Sequence, residues 1–301
     1  MLPPDRSHIL TELRNPRTMG LGSMSVDECV GVLSRENAEA VSAVERAGPQ
    51  IAAFVRAAEA GFARGGRLVY VGAGTSGRLG VLDASEAPPT FCVEHGRIVG
   101  IIAGGTPALV RSSEGLEDDP NGARDDLRGL GLSADDSVLG ITAGGTTPYV
   151  IGALAIAREL APGSVRGLLS CAEVERPAAA DHLIVLACGP EPLTGSTRMK
   201  AGSATKMALN AISTTLMVRT GRVHENLMVD VRATNAKLRD RAARIVSQVT
   251  GLGRDAAFSL LERAEGSAKV AIVMHSRGVD AAGARSLLEA AGGLLARVLA
   301  P

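Results

Sequence analysis

Two glutamates and three loops rich in glycine and hydroxyl groups are the residues of this chain whose types and spacing could do chemistry. Residues 68–90 read LVYVGAGTSGRLGVLDASEAPPT. An apolar run, Leu68 to Val71, meets a turn in which Gly72, Gly74 and Gly77 bracket Thr75 and Ser76, and a helical stretch follows. At such a junction free backbone N–H groups and the positive end of the helix dipole face one point, which makes an anion site. Glu86 follows just before Pro88 and Pro89, so an anion cradle and a proton carrier share one short segment. A second loop, Thr142-Ala-Gly-Gly-Thr146-Thr147-Pro148, ends another apolar run, with Pro148 suited to the first turn of a helix. The third, GPEPLTGSTRMK from Gly189 to Lys200, carries Thr194, Ser196 and Thr197. These are N-cap residue types, or, with Arg198 and Lys200, groups for a polar ligand, and both readings stand. A second carboxylate, Glu117, lies in SSEGLEDDP.

Gly72, Gly74 and Gly77 match GxGxxG, but the dinucleotide fingerprint also needs an acid at the end of the next strand for the ribose. The next run, Ile98–Ala103, ends without one. The paired hydroxyls Thr75 and Ser76 suit a phosphate monoester better. Turn geometry would account for the glycines of the two strand-end loops but not for their hydroxyls. By composition alone Glu86 and Glu117 read as solvated loop residues. No Ser-His-Asp arrangement and no nucleophilic cysteine setting is present, so an enzyme built on this chain is left with carboxylate acid–base chemistry on a phosphorylated small molecule.

These loops need a scaffold to bring them together. Short apolar runs at Leu68–Val71, Ile98–Ala103, Val138–Thr142, Val165–Ser170 and Leu183–Ala187 alternate with helical stretches. That pattern predicts βαβ units and a doubly wound, five-stranded parallel sheet, an α/β fold that binds ligands at the carboxyl ends of its strands. Before the sheet, the first ~25 residues, with Pro3, Pro4, Asn15-Pro16, Gly20 and Gly22, read as an extended arm. A helix is expected from Ser25, and a longer one from Arg35 to Ala63 with a break near Gly48-Pro49. After Lys200 an Ala- and Met-rich helix runs to Arg219. Thr234 to Val249 reads as a basic amphipathic helix, its charges a solvated face or a dimer contact. Three short helical patterns follow Gly251, and Lys269–Met274 is ambiguous between helix and strand. The division expected is an N-terminal arm and helix over 1–34, the α/β domain over 35–233, and a small C-terminal helical appendage over 234–301.

The totals narrow the functional classes. The chain has 301 residues, 46% hydrophobic, which is ample for a core. Its net charge is zero and no basic stripe is visible, against a nucleic-acid partner. Aromatics are only 2% and Trp is absent, against base- or sugar-stacking platforms. The four cysteines, Cys29, Cys92, Cys171 and Cys188, show no CxxC and read as reduced core thiols. The five histidines show no HxH or HExxH spacing, so no metal site is expected. No apolar run approaches the ~20 residues of a membrane span, and the N-terminus lacks an apolar signal region, so a soluble cytoplasmic protein is expected.

Several contiguous stretches resemble one family. VGAGTSGRLGVLDASEAPPTF, EGLEDD, GPEPLTGSTRMKAGSATKMALN, ENLMVDVRATNAKL and the opening TELRNP are similar to the N-acetylmuramic acid 6-phosphate etherases, of the sugar isomerase (SIS) fold group, from about Thr11 to the end. The resemblance implies cleavage of the D-lactyl ether at C3 of a 6-phosphorylated amino sugar, giving N-acetylglucosamine 6-phosphate and D-lactate in cell-wall recycling. In the opened sugar the C1 aldehyde acidifies the C2 proton. A base removes it, lactate leaves C3, and water adds back, with no metal or redox cofactor. By motif, Glu86 is the expected proton donor to lactate and Glu117 the expected C2 base. Gly74, Thr75, Ser76, Ser85, Thr142, Thr146, Thr147, Ser196 and Thr197 are the expected substrate-binding residues. A homodimer in which the partner helps enclose the site is also implied.

The chain departs from that family in one loop. The family pattern there reads like ASGRTPYV, and this chain has AGGTTPYV, so Gly144 replaces a serine and Thr146 an arginine. Ala87 stands where cysteine is common. The altered loop supports a different reading, a non-catalytic sugar-phosphate sensor. An aldose–ketose isomerase of the same fold, which also abstracts a C2 proton, is a further reading.

Overall fold

The computed structural model describes residues 9–112, 114–231 and 236–300, Glu114 through its backbone only. Pro3 and Pro4 of the expected arm, the start of the basic helix at Thr234 and the expected 233/234 boundary lie outside these residues. By internal contacts the chain falls into two units: Met1–Ser85 with Gly96–Ser213, and Glu86–His95 with Thr214–Pro301.

The first unit holds the sheet. Strands β1 (Leu68–Gly72), β2 (Ile98–Ile102), β3 (Ser137–Thr142), β4 (Val165–Ser170) and β5 (His182–Val185) lie in the order β2-β1-β3-β4-β5, all parallel. The five expected runs are therefore the five strands, shifted by a residue or two at their ends. Every residue of β1 and β3 is buried, as a sheet covered on both faces requires. Helices α1 (Val26–Arg46) and α2 (Gly48–Ala63) precede the sheet, α3 (Gly74–Phe91) follows β1, and α4 (Arg124–Leu130) and α5 (Pro148–Leu160) flank β3. Phe54 of α2 packs against Gly167 of β4, and Gly80 of α3 lies over Tyr70, so these helices share one face. Val150 and Leu154 of α5 cover Gly140 on the other. Burying a side chain such as Phe54 stabilises the fold by roughly 1.5–3 kcal/mol.

Three expectations about the helices change. The helix expected from Arg35 belongs to α1, which begins at Val26 behind a capping box between Ser25 and Glu28. The expected break near Gly48-Pro49 holds, since α1 ends at Arg46 and α2 opens at Gly48 with Pro49 in its first turn. The arm is not extended: Leu10–Glu12, Pro16–Thr18 and Leu21–Ser23 form 3-10 turns, and Thr11, Asn15 and Thr18 are buried. The segment around Glu86, read as a loop, stays helical through Phe91 although Pro88 and Pro89 lie in it. The prolines remove donors only near the helix end, and Cys92 N–H still reaches the Pro88 carbonyl at 2.9 Å. Upstream, buried Asp83 pins α3 by accepting from Tyr70 Oη at 2.9 Å, Asn210 Nδ2 at 2.8 Å and Ser213 Oγ at 3.2 Å.

Helix α6 (Lys200–Arg219) runs from the first unit into the second. The second unit continues with α7 (Ala236–Thr250), α8 (Arg254–Arg263), α9 (Ala268–Arg277), α10 (Ala281–Ala290) and α11 (Leu295–Leu299), four helices rather than three after Gly251. It has its own apolar core, centred on the buried run Ala268–Met274, which settles KVAIVM as helix. No helix among the described residues is long and apolar enough to cross a membrane.

Candidate active site

In the sheet order the chain leaves β1 toward β2 and returns on the other side through β3, so β1 and β3 frame the switch point where open α/β sheets bind ligands. A cavity of about 240 Å³ opens there. Ala73, Gly74, Thr75 and Ser76 line it from the end of β1, and Thr142, Ala143, Gly144, Thr146 and Thr147 from the end of β3. Glu117 enters from the loop before α4, and Gly195 and Thr197 from the segment before α6.

The first glycine loop is built by close approach. Gly72 and Gly77 press backbone to backbone, a Cβ on Gly72 falling 2.7 Å from Gly77 N, so β1 passes into α3 through Ala73 alone. Gly74 takes φ +52°, in the left-handed region. A Cβ there would stand 3.0 Å from Glu117 Oε1, so the missing side chain makes room for the carboxylate over the N-terminus of α3. Half-buried Thr75 and Ser76 sit in the first turn, where helix N–H groups have no intrahelical acceptor. The positive helix end favours an anion by about 0.3–1 kcal/mol, more when shielded from water.

Glu117 is clamped from its backbone. Its carbonyl accepts from Tyr149 N–H at 3.0 Å, and α5 presses on the same loop so closely that a Cβ on Gly152 would fall 1.8 Å from the Pro120 carbonyl oxygen. In the loop after β3, the Thr142 and Thr147 hydroxyls bond each other at 2.8 Å, and Gly145 N–H donates to Thr142 Oγ1 at 3.2 Å. Those two hydroxyls brace the loop as well as facing the cavity. Thr146 is exposed at its rim, and Gly144 leaves open space: a Cβ there would meet only Ile9 Cγ2, at 3.8 Å. Among the described residues the lining holds no cation, only the carboxylates Glu12 and Glu117.

Other expected residues lie elsewhere. Ser196 is absent from the lining, between the lining residues Gly195 and Thr197, and its N–H bonds the Leu193 carbonyl at 2.9 Å. Ser85 is exposed on α3 and donates to the Leu82 carbonyl at 2.8 Å. Glu86 is exposed in the second unit and is not a lining residue. The N-cap role weighed for Thr194, Ser196 and Thr197 falls to a residue the sequence did not single out. Buried Glu191 accepts from the N–H groups of Lys200 and Ala201 at 2.8 and 2.9 Å. Burial raises its carboxyl above the usual range, against those two bonds and Lys200.

Sequence reasoning also missed the arm. Ile9, Thr11 and Glu12 line the cavity, brought there by a buried polar cluster. Asn15 Nδ2 donates to Glu36 Oε2 at 2.7 Å and to the Pro190 carbonyl at 3.1 Å. Thr18 Oγ1 donates to the Pro192 carbonyl at 2.8 Å, and Gly195 N–H to the Thr11 carbonyl at 3.2 Å. Glu36 also takes Lys200 Nζ at 2.9 Å. The available signal was Asn15-Pro16 itself, since Asn15 caps the turn by accepting from Arg17 N–H.

A parallel α/β sheet with a switch-point cavity is the architecture of the SIS domains, and residues 50–158 match the model of the glucokinase regulatory protein N-terminal SIS domain. The chain is 52% identical over 293 residues to the N-acetylmuramic acid 6-phosphate etherase of Gloeobacter violaceus, covering 97% of this chain and 95% of that one. To the etherase of Salmonella agona it is 48% identical over 293 residues, covering 97% and 98%. The chain belongs to the N-acetylmuramic acid 6-phosphate etherase family, enzymes that cleave an ether bond.

Proposed function

We propose that this chain cleaves the D-lactyl ether of N-acetylmuramic acid 6-phosphate, giving N-acetylglucosamine 6-phosphate and D-lactate, in the recycling of cell-wall amino sugars. The observation that carries the reading is the Glu117 carboxylate held over Gly74, beside the Thr75 and Ser76 hydroxyls, in a chain of this family. The 6-phosphate takes the N-terminus of α3 through those hydroxyls and free N–H groups. Thr142, Thr146, Thr147 and Thr197 bond the sugar. With the ring open, the C1 aldehyde acidifies C2–H. Glu117 takes that proton, the electron pair forms the C2–C3 double bond, and the C3–O bond breaks as lactate leaves with a proton from Glu86. Water then adds at C3, its proton passing to the Glu86 carboxylate, while Glu117 returns a proton to C2. The net change is addition of water across the ether.

Glu86 meets this chemistry from a second copy of the chain. Its exposure on α3 and its absence from the cavity lining support a homodimer in which each protomer supplies the acid to its partner's cavity. A cytoplasmic setting fits the free state of Cys29, Cys92, Cys171 and Cys188.

The test is D-lactate release from N-acetylmuramic acid 6-phosphate, with Glu86→Gln and Glu117→Gln each inactive. The turnover run in heavy water incorporates deuterium at C2, and absence of that label rules out the elimination. Mixing the two inactive variants restores activity if Glu86 acts across subunits, because some mixed dimers hold one intact site. No recovery in proven mixed dimers rules that arrangement out.

A further inference from the structure

The Thr11 side chain is 1% exposed, and its hydroxyl is one of the few buried polar groups without a hydrogen-bond partner among the described residues. Buried hydroxyls in folded proteins almost always find a partner, and leaving one unpaired destabilises the fold. The arm is tied through other groups, and none of those bonds uses this hydroxyl. Asn15 and Thr18 tie it to Pro190, Pro192 and Glu36, and the Thr11 carbonyl is engaged by Gly195 N–H. Thr11 is one of the residues lining the cavity, with Thr75, Ser76 and Glu117.

We propose that Thr11 is a substrate-contacting residue, its hydroxyl completed by an uncharged oxygen of the bound sugar, with Glu12 beside it accepting from a sugar hydroxyl or amide N–H. The proposal rests on the sugar-phosphate reading of this cavity. Glu12 lines the same wall, and its carboxylate stands 3.1 Å from where a Cβ on Gly195 would lie. A carboxylate there repels a phosphate dianion and accepts from neutral donors, so the arm meets the uncharged part of the sugar while the phosphate takes the start of α3. The arm thus selects orientation as well as adding a bond.

Thr11→Val keeps the shape and removes the hydroxyl, and Thr11→Ser keeps the hydroxyl. The readouts are the melting temperature of the free protein, calorimetric binding of N-acetylglucosamine 6-phosphate, and D-lactate release. Thr11→Val is expected to melt at or above the wild-type temperature, because an unpaired buried hydroxyl is gone. It should bind the sugar phosphate about tenfold more weakly and raise KM similarly, while Thr11→Ser stays close to wild type in all three. A merely structural hydroxyl would lower the melting temperature of Thr11→Val instead. Wild-type affinity in Thr11→Val, or a lowered melting temperature with unchanged affinity, overturns the proposal. Wild-type protein that binds this sugar phosphate but releases no lactate removes the etherase reading and leaves the Thr11 contact to stand or fall on Thr11→Val binding. Wild-type protein that binds no sugar phosphate removes both.

Discussion

Glu36→Gln tests whether the cavity depends on charges buried behind it. Glu36 is 5% exposed, and its oxygens accept from Arg17 at 2.5 and 2.9 Å, Asn15 at 2.7 Å and Lys200 at 2.9 Å. The Arg17 bonds, opposed by burial and helped by Lys200 and Asn15, hold its carboxyl at about 2, below its ordinary 4.5. Because the folded value is depressed, the stabilisation is complete above the unfolded value and is lost as pH falls through the folded one. That displacement corresponds to about 3 kcal/mol at neutral pH. Arg17 is 53% exposed, so solvent screening reduces its share, whereas the Lys200 side chain is fully buried. Glu36→Gln leaves that ammonium without its ion-pair partner, a change that destabilises by about 3–5 kcal/mol where a buried pair is broken. Glu191, close enough to Lys200 to feel its charge, keeps the effect near the lower end.

Urea unfolding followed by tyrosine fluorescence suits this measurement. Tyr70 and Tyr149 both lie in the first unit and Trp is absent, so the signal reports that unit. The stability difference between wild type and Glu36→Gln should be about 3 kcal/mol at pH 7 and shrink between pH 4.5 and 2. Lys200→Met should restore part of the loss in the double variant, since no buried charge is then stranded. A difference below about 1 kcal/mol at pH 7, or one that does not change with pH, would refute the assignment of the cluster as a charge-dependent clamp on the arm.

Four further substitutions act on the cavity or on the loop that brings Glu117 to it. Gly74→Ala forces a side chain onto φ +52° and against Glu117 Oε1 at 3.0 Å, so lactate release should fall at least tenfold in kcat while sugar-phosphate affinity, read by calorimetry, changes less. Gly144→Ser finds open space, and Thr146→Arg starts from an exposed rim position. The pair should tighten N-acetylglucosamine 6-phosphate binding about tenfold, with unchanged affinity counting against a phosphate-bearing ligand near this loop. Gly152→Ala would drive a methyl into the Pro120 carbonyl at 1.8 Å, lowering stability in urea by about 1–3 kcal/mol and reducing kcat by displacing the loop of Glu117.

The sheet was legible because a strand buried on both faces is mostly apolar, and β1 and β3 are buried at every position, with polar residues only at the two ends of β3. The cavity loops were legible for a related reason: glycines pressed together at a strand end, followed by hydroxyls, have few other uses. The arm was not legible. Its proline and glycine content describes turns equally well when exposed and when buried, and what ties it down is the pairing of Asn15, Arg17 and Lys200 with Glu36, residues far apart in the chain. Local pattern carries no information about such a pair. The same limit explains Glu191, whose capping of α6 spans a loop rather than occupying the position next to the helix.

Glu86 illustrates the opposite error, in which nearness along the chain suggests nearness in space. Thr75, Ser76 and Glu86 share a segment, so cradle and acid read as one site. Helix α3 runs unbroken through that segment, and Glu86 is ten residues after Ser76 and not among the cavity residues. Inside the protomer the carboxylate at the cradle is Glu117, brought there by a different loop. A helix of this length would be a poor way to deliver both groups to one cavity. In the proposed dimer one end of α3 takes the phosphate and Glu86 serves a second copy, and the mixed-variant experiment distinguishes that arrangement from a site within one protomer.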